Sequence, residues 1–400
     1  MACSMFHFLA ILLLNHILSV YISMRQYFKL GQKMSPVASK IYTEEKYTLC
    51  CKYNREKLAF AFFQSTFELF QSIFTLFFIR KIFSWFNQKV TKRDELFALS
   101  FILASQFFDI PFSLYYDFIL EKKYGFNRKT LKVFFKDFFI TLFLHSAIFT
   151  PLLFIVKFIV NTFPNFPLYL TLFMTAFRVF MIIIFPNFIT PLYHKVTPLE
   201  NIELKEKVEK LAEKVGFTIN KIEVIDGSTR SSHSNAYFIG IFKAKRIVFY
   251  DTLLKQMTDD EILAVLCHEL GHWHHNHVLL NTIIASIQTL IYSFFLKIFL
   301  GVKGDFKYGP NMVFFTIAMS VLALPSLLLF NSISRKFERQ ADAFAVKHKY
   351  GNHLISGLLK LATENMGSPV VDSLYSTISH SHPHITERIE CIENEMKKQE

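Results

Sequence analysis

Four hundred residues, 52% of them hydrophobic and with 48 Phe against 12 Gly, exclude a disordered chain and a collagen-like one. Several apolar runs approach the length of about 20 residues that a hydrocarbon core of ~30 Å selects, which favours a multi-span membrane protein over a soluble enzyme. The net charge of +12 comes from Lys and Arg lying between those runs rather than on one basic module, so it reads as positively charged cytoplasmic loops facing a lipid bilayer, with no nucleic-acid partner.

In chain order, the apolar runs predict spans at about 6–24, 60–84, 96–119, 137–160, 167–190, 275–300 and 311–334. The first lacks a basic leading region and a clear cleavage site, and His7, Asn15 and His16 dilute its centre, so it reads as an uncleaved span. Residues 25–59 and 121–136 fall on one side and carry fourteen Lys and Arg, against seven across the bilayer in 80–95, 161–166 and 301–310. The richer side is expected to be cytosolic and the N-terminus lumenal. The chain then divides into spans one to five (1–190), an extramembrane segment (191–274), spans six and seven (275–334) and a second segment with the C-terminal tail (335–400). The two extramembrane segments share the cytosolic face and are expected to form one split domain.

Polar residues interrupt the spans in a pattern. Gln64, Glu68 and Gln71 recur at i, i+4 and i+7, Gln106 and Asp109 share a face of the third span, and Arg178 sits in the fifth. An ionisable group facing lipid costs at least ~2.5 kcal/mol on insertion scales, so these predict either a polar chamber lining or interhelical hydrogen bonds. The five cysteines form no CxxC pair, which fits a reducing, cytosol-facing environment; adjacent Cys50 and Cys51 read as ordinary thiols, with palmitoylation as the alternative. In 199–215, Leu204, Val208, Leu211 and Val215 trace an amphipathic helix that Gly216 stops. A short strand at 221–226 follows, then two β-prone stretches, about 235–242 and 246–250, that a polar turn joins into a hairpin.

The segment TDDEILAVLCHELGHWHHNH, residues 258–277, opens with a Thr258/Glu261 capping box and should be helical. His268 and His272 then lie one turn apart on one face, where both imidazoles reach a single Zn²⁺, while Glu269 stands beside them toward a bound water. That arrangement suits peptide hydrolysis, with Glu269 as the general base. A catalytic site needs a third protein ligand, and Glu338 in SRKFERQADAFA (334–345) is the best candidate, with Asp342 one turn on to hold a ligand histidine's free ring nitrogen. His274, His275 and His277 read as a polar helix rim.

With YISMRQ (21–26), DIPFSLYYDFILEKKYGFN (109–127), SSHSNAYFIGIFKAKRIVFYDTLL (231–254), LCHELGHW, SRKFERQADAFA and SHPHITERI (381–389), the chain resembles the type 1 CAAX prenyl proteases over nearly its whole length. The resemblance implies a mainly α fold: a seven-span barrel of tilted helices around a large water-filled chamber, closed on the cytosolic side by a split zinc metalloprotease domain that carries a small β-hairpin. It implies one Zn²⁺ per chain on His268, His272 and Glu338, Glu269 as catalytic base and Asp342 behind the ligands. It further implies His382 as a catalytic residue stabilising the oxyanion or fixing substrate backbone, and Asn235 as a substrate-binding residue for a peptide added as a strand. The implied substrates are prenylated CAAX proteins losing their last three residues; a membrane quality-control metalloprotease acting on misfolded or translocon-stalled proteins is the alternative. WHHNH holds more histidine than that family's pattern, and its usual second proline after SHP is His384 here. The ending Lys397-Lys398-Gln399-Glu400 looks like a dilysine retrieval signal of an endoplasmic-reticulum membrane protein, or the basic end of an amphipathic helix with Ile385, Ile389, Ile392 and Met396 as its buried stripe.

Overall fold

Among the residues described by the computed structural model (5–36, 38–239, 246–301 and 308–399), seven helices are long and apolar enough to cross a bilayer. They are Met5–Lys29, Glu44–Lys89, Asp94–Glu121, Leu131–Thr162, Phe166–Tyr193, His277–Leu300 and Pro310–Lys347. All seven expected spans are present, and two overrun their apolar runs. The second helix has 46 residues, about 70 Å at ~1.5 Å per residue, more than twice the ~30 Å hydrocarbon core. Residues 44–59 had read as part of a loop because their apolar content falls below a span's. They are helical because Thr43 caps the start, Glu44 and Glu45 fill the first turn, and Tyr47, Cys50 and Cys51 pack with Leu30 and Tyr42. Cys50 and Cys51 are buried in that cluster, which leaves no room for an acyl chain. The seventh helix likewise continues past its apolar run through Glu338 and Asp342, so the last part of the span and this part of the site lie on one helix, Ala323–Lys347.

The spans leave many Phe side chains exposed, among them Phe62, Phe70, Phe74, Phe139 and Phe143. Inside lies a chamber with a cavity of about 760 Å³ whose lining includes Gln64, Gln106 and Asp109. Gln64 donates to Glu68 at 3.0 Å. Arg178 takes the other course foreseen for a polar residue in a span: it donates to Ser286 (3.4 Å) and Thr289 of the sixth span. At the opposite end, Lys157 pairs with Asp94 and Glu95, and Asp94 also accepts from the Tyr308 amide, tying the third and fourth spans to the loop before the seventh. Lys303 and Lys307 of that loop lie outside the described residues.

Beyond the membrane helices is a four-stranded sheet of β1 (Val196–Pro198), β2 (Lys221–Ile225), β3 (Ala236–Ile239) and β4 (Arg246–Tyr250) in the order β1-β2-β4-β3. β1/β2 and β3/β4 are antiparallel and β2/β4 parallel. The expected hairpin is the β3/β4 pair, whose turn at 240–245 lies outside the described residues. β1 has three residues, too few for a period of two to register. Among the described residues β3 is an edge strand with one side unpaired. Helix Ile202–Lys214, capped by Asn201, sends Leu204, Val208 and Leu211 into an apolar core shared with Leu266 and Leu270, with Phe344 and Leu354, and with Ile392 of the final helix. Residues on both sides of the sixth and seventh spans in sequence thus share one core. In that final helix Ile385 and Met396 pack beside Ile392.

Candidate metal centre

The HELGH helix, Asp259–His274, starts at a complete capping box: the Glu261 amide donates to Thr258 Oγ1 and the Thr258 amide to Glu261 Oε2. The Glu261 carboxylate also accepts from Ser356 Oγ and Lys360 Nζ, both at 2.6 Å, which anchors the helix to Gly351–Glu364. Burial pushes the Glu261 pKa up, but Lys360, Ser356 and the Thr258 amide outweigh it and hold the group at about 2. Further along, Gly271 faces Ala341 of the seventh helix so closely that a Cβ there would lie 2.9 Å from the Ala341 Cα. This close crossing brings the two histidines of one helix to the carboxylates of the other.

His268 Nε2, His272 Nε2 and a Glu338 carboxylate oxygen lie within 4.8 Å of one another. The two Nε2 atoms are 3.2 Å apart; His268 Nε2 is 3.5 Å from Glu338 Oε2, and His272 Nε2 is 3.3 Å from Glu338 Oε1. The outer ring nitrogens are engaged elsewhere. His268 Nδ1 lies 2.8 Å from Asp342 Oδ1, and His272 Nδ1 lies 2.8 Å from His277 Nδ1. His277 Nε2 in turn lies 3.1 Å from Gln340 Oε1. Because Gln340 Oε1 and Asp342 only accept, this network puts a proton on both ligand-ring Nδ1 atoms and aims both Nε2 lone pairs at one point.

Two facing lone pairs beside a carboxylate repel unless a cation lies between them. Glu338 Oε2 is buried with no aligned hydrogen-bond donor, although His382 Nδ1 stands 2.9 Å from it. Burial disfavours a proton on His268, yet Asp342 and Glu338 override this and raise its pKa to about 9, so the pocket favours positive charge. Two imidazoles and a carboxylate converging in a buried pocket are a metal-ligand set, and the residues present fit a metal ion.

Around this centre, Glu269 is half-buried beside His268 and its charge reaches Arg388. His382 is largely exposed on the open side. Asn235 stands exposed immediately before the edge strand β3, where its Oδ1 accepts from the Ala236 amide and its carbonyl from Tyr250; it makes no hydrogen bond to the ring cluster. β3 packs against the HELGH helix. Two participants escaped the sequence reading. Arg388 donates to both Asp342 oxygens (3.0 and 2.6 Å) and approaches Glu338 Oε2 at 3.5 Å, clamping the carboxylates behind the rings. His277, read as part of an exposed rim, is buried: it stacks on Phe337 with centroids 4.0 Å apart and holds His272. The turn at Asn276, with positive φ, folds the chain back and takes His277 off the rim. Only His274 of the three is fully exposed. His384, standing where the resembled family has proline, reaches the Ser368 carbonyl (2.9 Å) and fastens the loop that carries His382.

Comparison with known proteins bears on what this centre serves. Residues 198–396 match peptidase family M48, and residues 23–195 match the CAAX prenyl protease N-terminal family of five membrane helices. The chain is 36% identical to the Arabidopsis thaliana CAAX prenyl protease 1 homolog, over 97% of each chain. It is 35% identical to CAAX prenyl protease 1 of Saccharomyces cerevisiae, over 94% of this chain and 93% of that one, and 30% identical to the Homo sapiens homolog, over 92% and 90%. The crystal structure of S. mikatae Ste24p superposes with a TM-score of 0.90 at 34% identity, covering 97% of this chain and 98% of the other.

Proposed function

From the premise that the chain belongs to the M48 peptidases carrying a CAAX prenyl protease N-terminal region, and is therefore a CAAX-processing protease embedded in the membrane, we propose a zinc endopeptidase that frees the C-terminal tripeptide of prenylated CAAX proteins. The observation that carries the zinc assignment is the convergence of His268 Nε2, His272 Nε2 and Glu338 within 4.8 Å, with both Nδ1 atoms held from behind. Two histidines and a glutamate with an open fourth position are a catalytic zinc set. When bound, one Zn²⁺ per chain would supply Lewis acidity and lower the pKa of its water toward about 7.

The chain's own residues perform the rest. Glu269 takes a proton from the water as its oxygen attacks the scissile carbonyl carbon. When the C–N bond breaks, Glu269 returns that proton to the leaving nitrogen, giving a free amine on the tripeptide and a carboxylate on the prenylcysteine. His382, exposed beside Glu338 on the open side, donates to the carbonyl oxygen as negative charge builds there. Asn235 anchors the substrate backbone along the free side of β3, where an extended peptide adds as a fifth strand. Asp342, held by Arg388, keeps His268 in its ligating tautomer. The excess of Lys and Arg in 25–59 and 121–136 supports a lumenal N-terminus with the zinc domain and C-terminus on the cytosolic side. The relatives' names favour CAAX processing over the quality-control alternative.

The test is cleavage by purified protein of a peptide ending in a farnesylated cysteine plus three residues, beside its unprenylated twin and the Glu269→Gln variant. Tripeptide released from the farnesylated peptide alone, and lost in the variant, is the expected result. Equal cutting of both peptides would restore the quality-control reading, and no cutting by folded, zinc-loaded protein would refute the enzymatic one.

A further inference from the structure

The chamber holds two charges that the protein itself leaves unmatched. Of the charged groups lining the 760 Å³ cavity, Asp117 is paired with Lys129 at 2.6 Å, and Asp137 accepts two hydrogen bonds from Arg230, both 2.8 Å. Lys57 and Asp109 remain. Lys57 Nζ lies 4.9 Å from the centroid of the Tyr53 ring and makes no hydrogen bond or ion pair among the described residues. The charge of Glu121 reaches it, but the Glu121 oxygens are taken by the Tyr53 hydroxyl (2.6 Å) and His233 Nε2 (3.2 Å). Asp109 likewise has no partner among the described residues. Asp109 is exposed to the chamber and Lys57 half-buried at its soluble-side end, so a charged group of a ligand can reach each of them. A site with one open cation and one open anion selects a ligand that carries both.

The spacing narrows the ligand. Phe60 of the second span stacks on Tyr115 of the third at 5.4 Å, and Phe67 meets Phe112 at 5.0 Å, so these helices run antiparallel with Asp109 near the level of Phe67. Lys57 is ten residues before Phe67, or about 15 Å along the chamber at ~1.5 Å per residue. An extended tripeptide covers about 10 Å at 3.3–3.6 Å per residue, and the four-carbon stem of Lys57 covers the remainder. A cavity of this volume falls in the ordinary range of small-molecule sites, about 300–1,000 Å³. Its lining also includes His380, two residues before His382 in sequence.

The reaction makes a ligand of this chemistry. Hydrolysis adds water across the scissile bond, and the released tripeptide leaves with a new amino group, protonated below an α-amino pKa of about 7.7–8.0, together with its original carboxylate. We propose that the chamber captures this product, Lys57 taking the carboxylate and Asp109 the ammonium, so that the cavity is a product-holding site distinct from the zinc centre. The proposal rests on the CAAX reading above for the identity of its ligand.

Equilibrium dialysis of a labelled tripeptide of two aliphatic residues and methionine against full-length protein in nanodiscs tests it, and needs no turnover. Lys57→Met and Asp109→Asn should each weaken binding at least tenfold, and Lys57→Arg should retain it. The C-terminally amidated tripeptide should bind the wild type as weakly as the free acid binds Lys57→Met, and should be indifferent to that substitution. Equal binding of acid and amide, or undiminished binding by folded Lys57→Met, overturns the proposal. The melting temperature of each variant separates lost binding from lost fold, with Asp109→Asn as a second arm should Lys57→Met not fold. Cleavage of the farnesylated peptide without tripeptide binding leaves the enzyme reading intact and removes only this site. Charge-dependent binding without cleavage keeps the site and removes the activity.

Discussion

Gly271→Ala adds one methyl group at the point where the ligand-bearing helices cross. The new Cβ would meet the Ala341 Cα at 2.9 Å, the Ala341 carbonyl oxygen at 3.1 Å and the Phe344 Cβ at 3.1 Å. Two of these are backbone atoms, which cannot swing aside. Carbon atoms prefer about 3.5–4.0 Å, so the helices must separate by roughly 0.6 Å or more. His272 is the next residue on one helix and Glu338 lies one turn before Ala341 on the other, so the separation reaches the metal ligands almost undiminished. Metal–ligand distances tolerate only about 0.2 Å. Overpacking costs about 1–3 kcal/mol, offset by about 1 kcal/mol of better helix propensity. The fold should therefore lose no more than about 2 kcal/mol, while zinc affinity falls about 10–100-fold. Competition with a chromophoric chelator measures the affinity, and thermal melting of metal-free protein measures the fold. Wild-type zinc affinity and cleavage rate in Gly271→Ala would refute the claim that this crossing sets the ligand geometry.

Glu261→Gln should lower stability by about 2 kcal/mol at pH 7, a shift from 4.5 to about 2 being discounted because its Lys360 partner is 41% exposed. Because the folded-state pKa is depressed, this stabilisation is complete above about pH 4.5 and is lost as pH falls toward 2. The gap between wild type and variant, read by denaturant unfolding in detergent, should therefore narrow from pH 5 to pH 3; a constant gap contradicts the assignment. His277→Phe keeps the stacking on Phe337 but removes the acceptor for His272 Nδ1, so zinc affinity should fall about tenfold or more with little change in melting temperature. Unchanged affinity there would make His277 a packing residue only. Chelation should abolish cleavage and lower the melting temperature, and one equivalent of zinc per chain should restore both; restoration by magnesium alone would count against the His268/His272/Glu338 centre.

What was legible in the sequence followed from short-range periodicity. Seven apolar runs announced seven helices because hydrocarbon thickness sets their length. The spacing of His268, His272, Glu338 and Asp342 announced the cluster because residues three or four apart share a helix face. Groups joined to the site by tertiary contact could not be read this way. Arg388 lies 46 residues from Asp342, and a lone arginine in an amphipathic tail helix looks like any solvated charge until the fold seats it against two carboxylates. His277 reads as rim because it follows the exposed His274 and the half-buried His275 at the helix end, and only the left-handed turn at Asn276 redirects it. The helical run at 44–59 escaped because it packs on soluble-side residues and carries charge, so a hydropathy window ends before it does.

The same distinction explains why the seventh helix matters more than its sequence conveyed. Hydropathy separates a span ending near 334 from a following polar segment, whereas one α-helix, Ala323–Lys347, carries the end of the span and the polar segment together, after a tighter turn at Ser320–Leu322. From Ala323 onward the helix is regular, so its lipid-facing turns and the turn that carries Glu338 move as one body. Any motion of the span against its neighbours, including one needed to admit a prenylated chain, therefore moves Glu338 relative to His268 and His272, which sit on a separate helix. Arg388, Gln340 and Asp342 resist that motion by fastening this helix to the tail helix and to the ligand rings. Arg388→Lys would keep the charge but lose the two-pronged grip on Asp342. Its expected effect is a rise in KM and faster zinc release at unchanged melting temperature, and a fall in melting temperature alone would show that Arg388 holds the fold rather than the site.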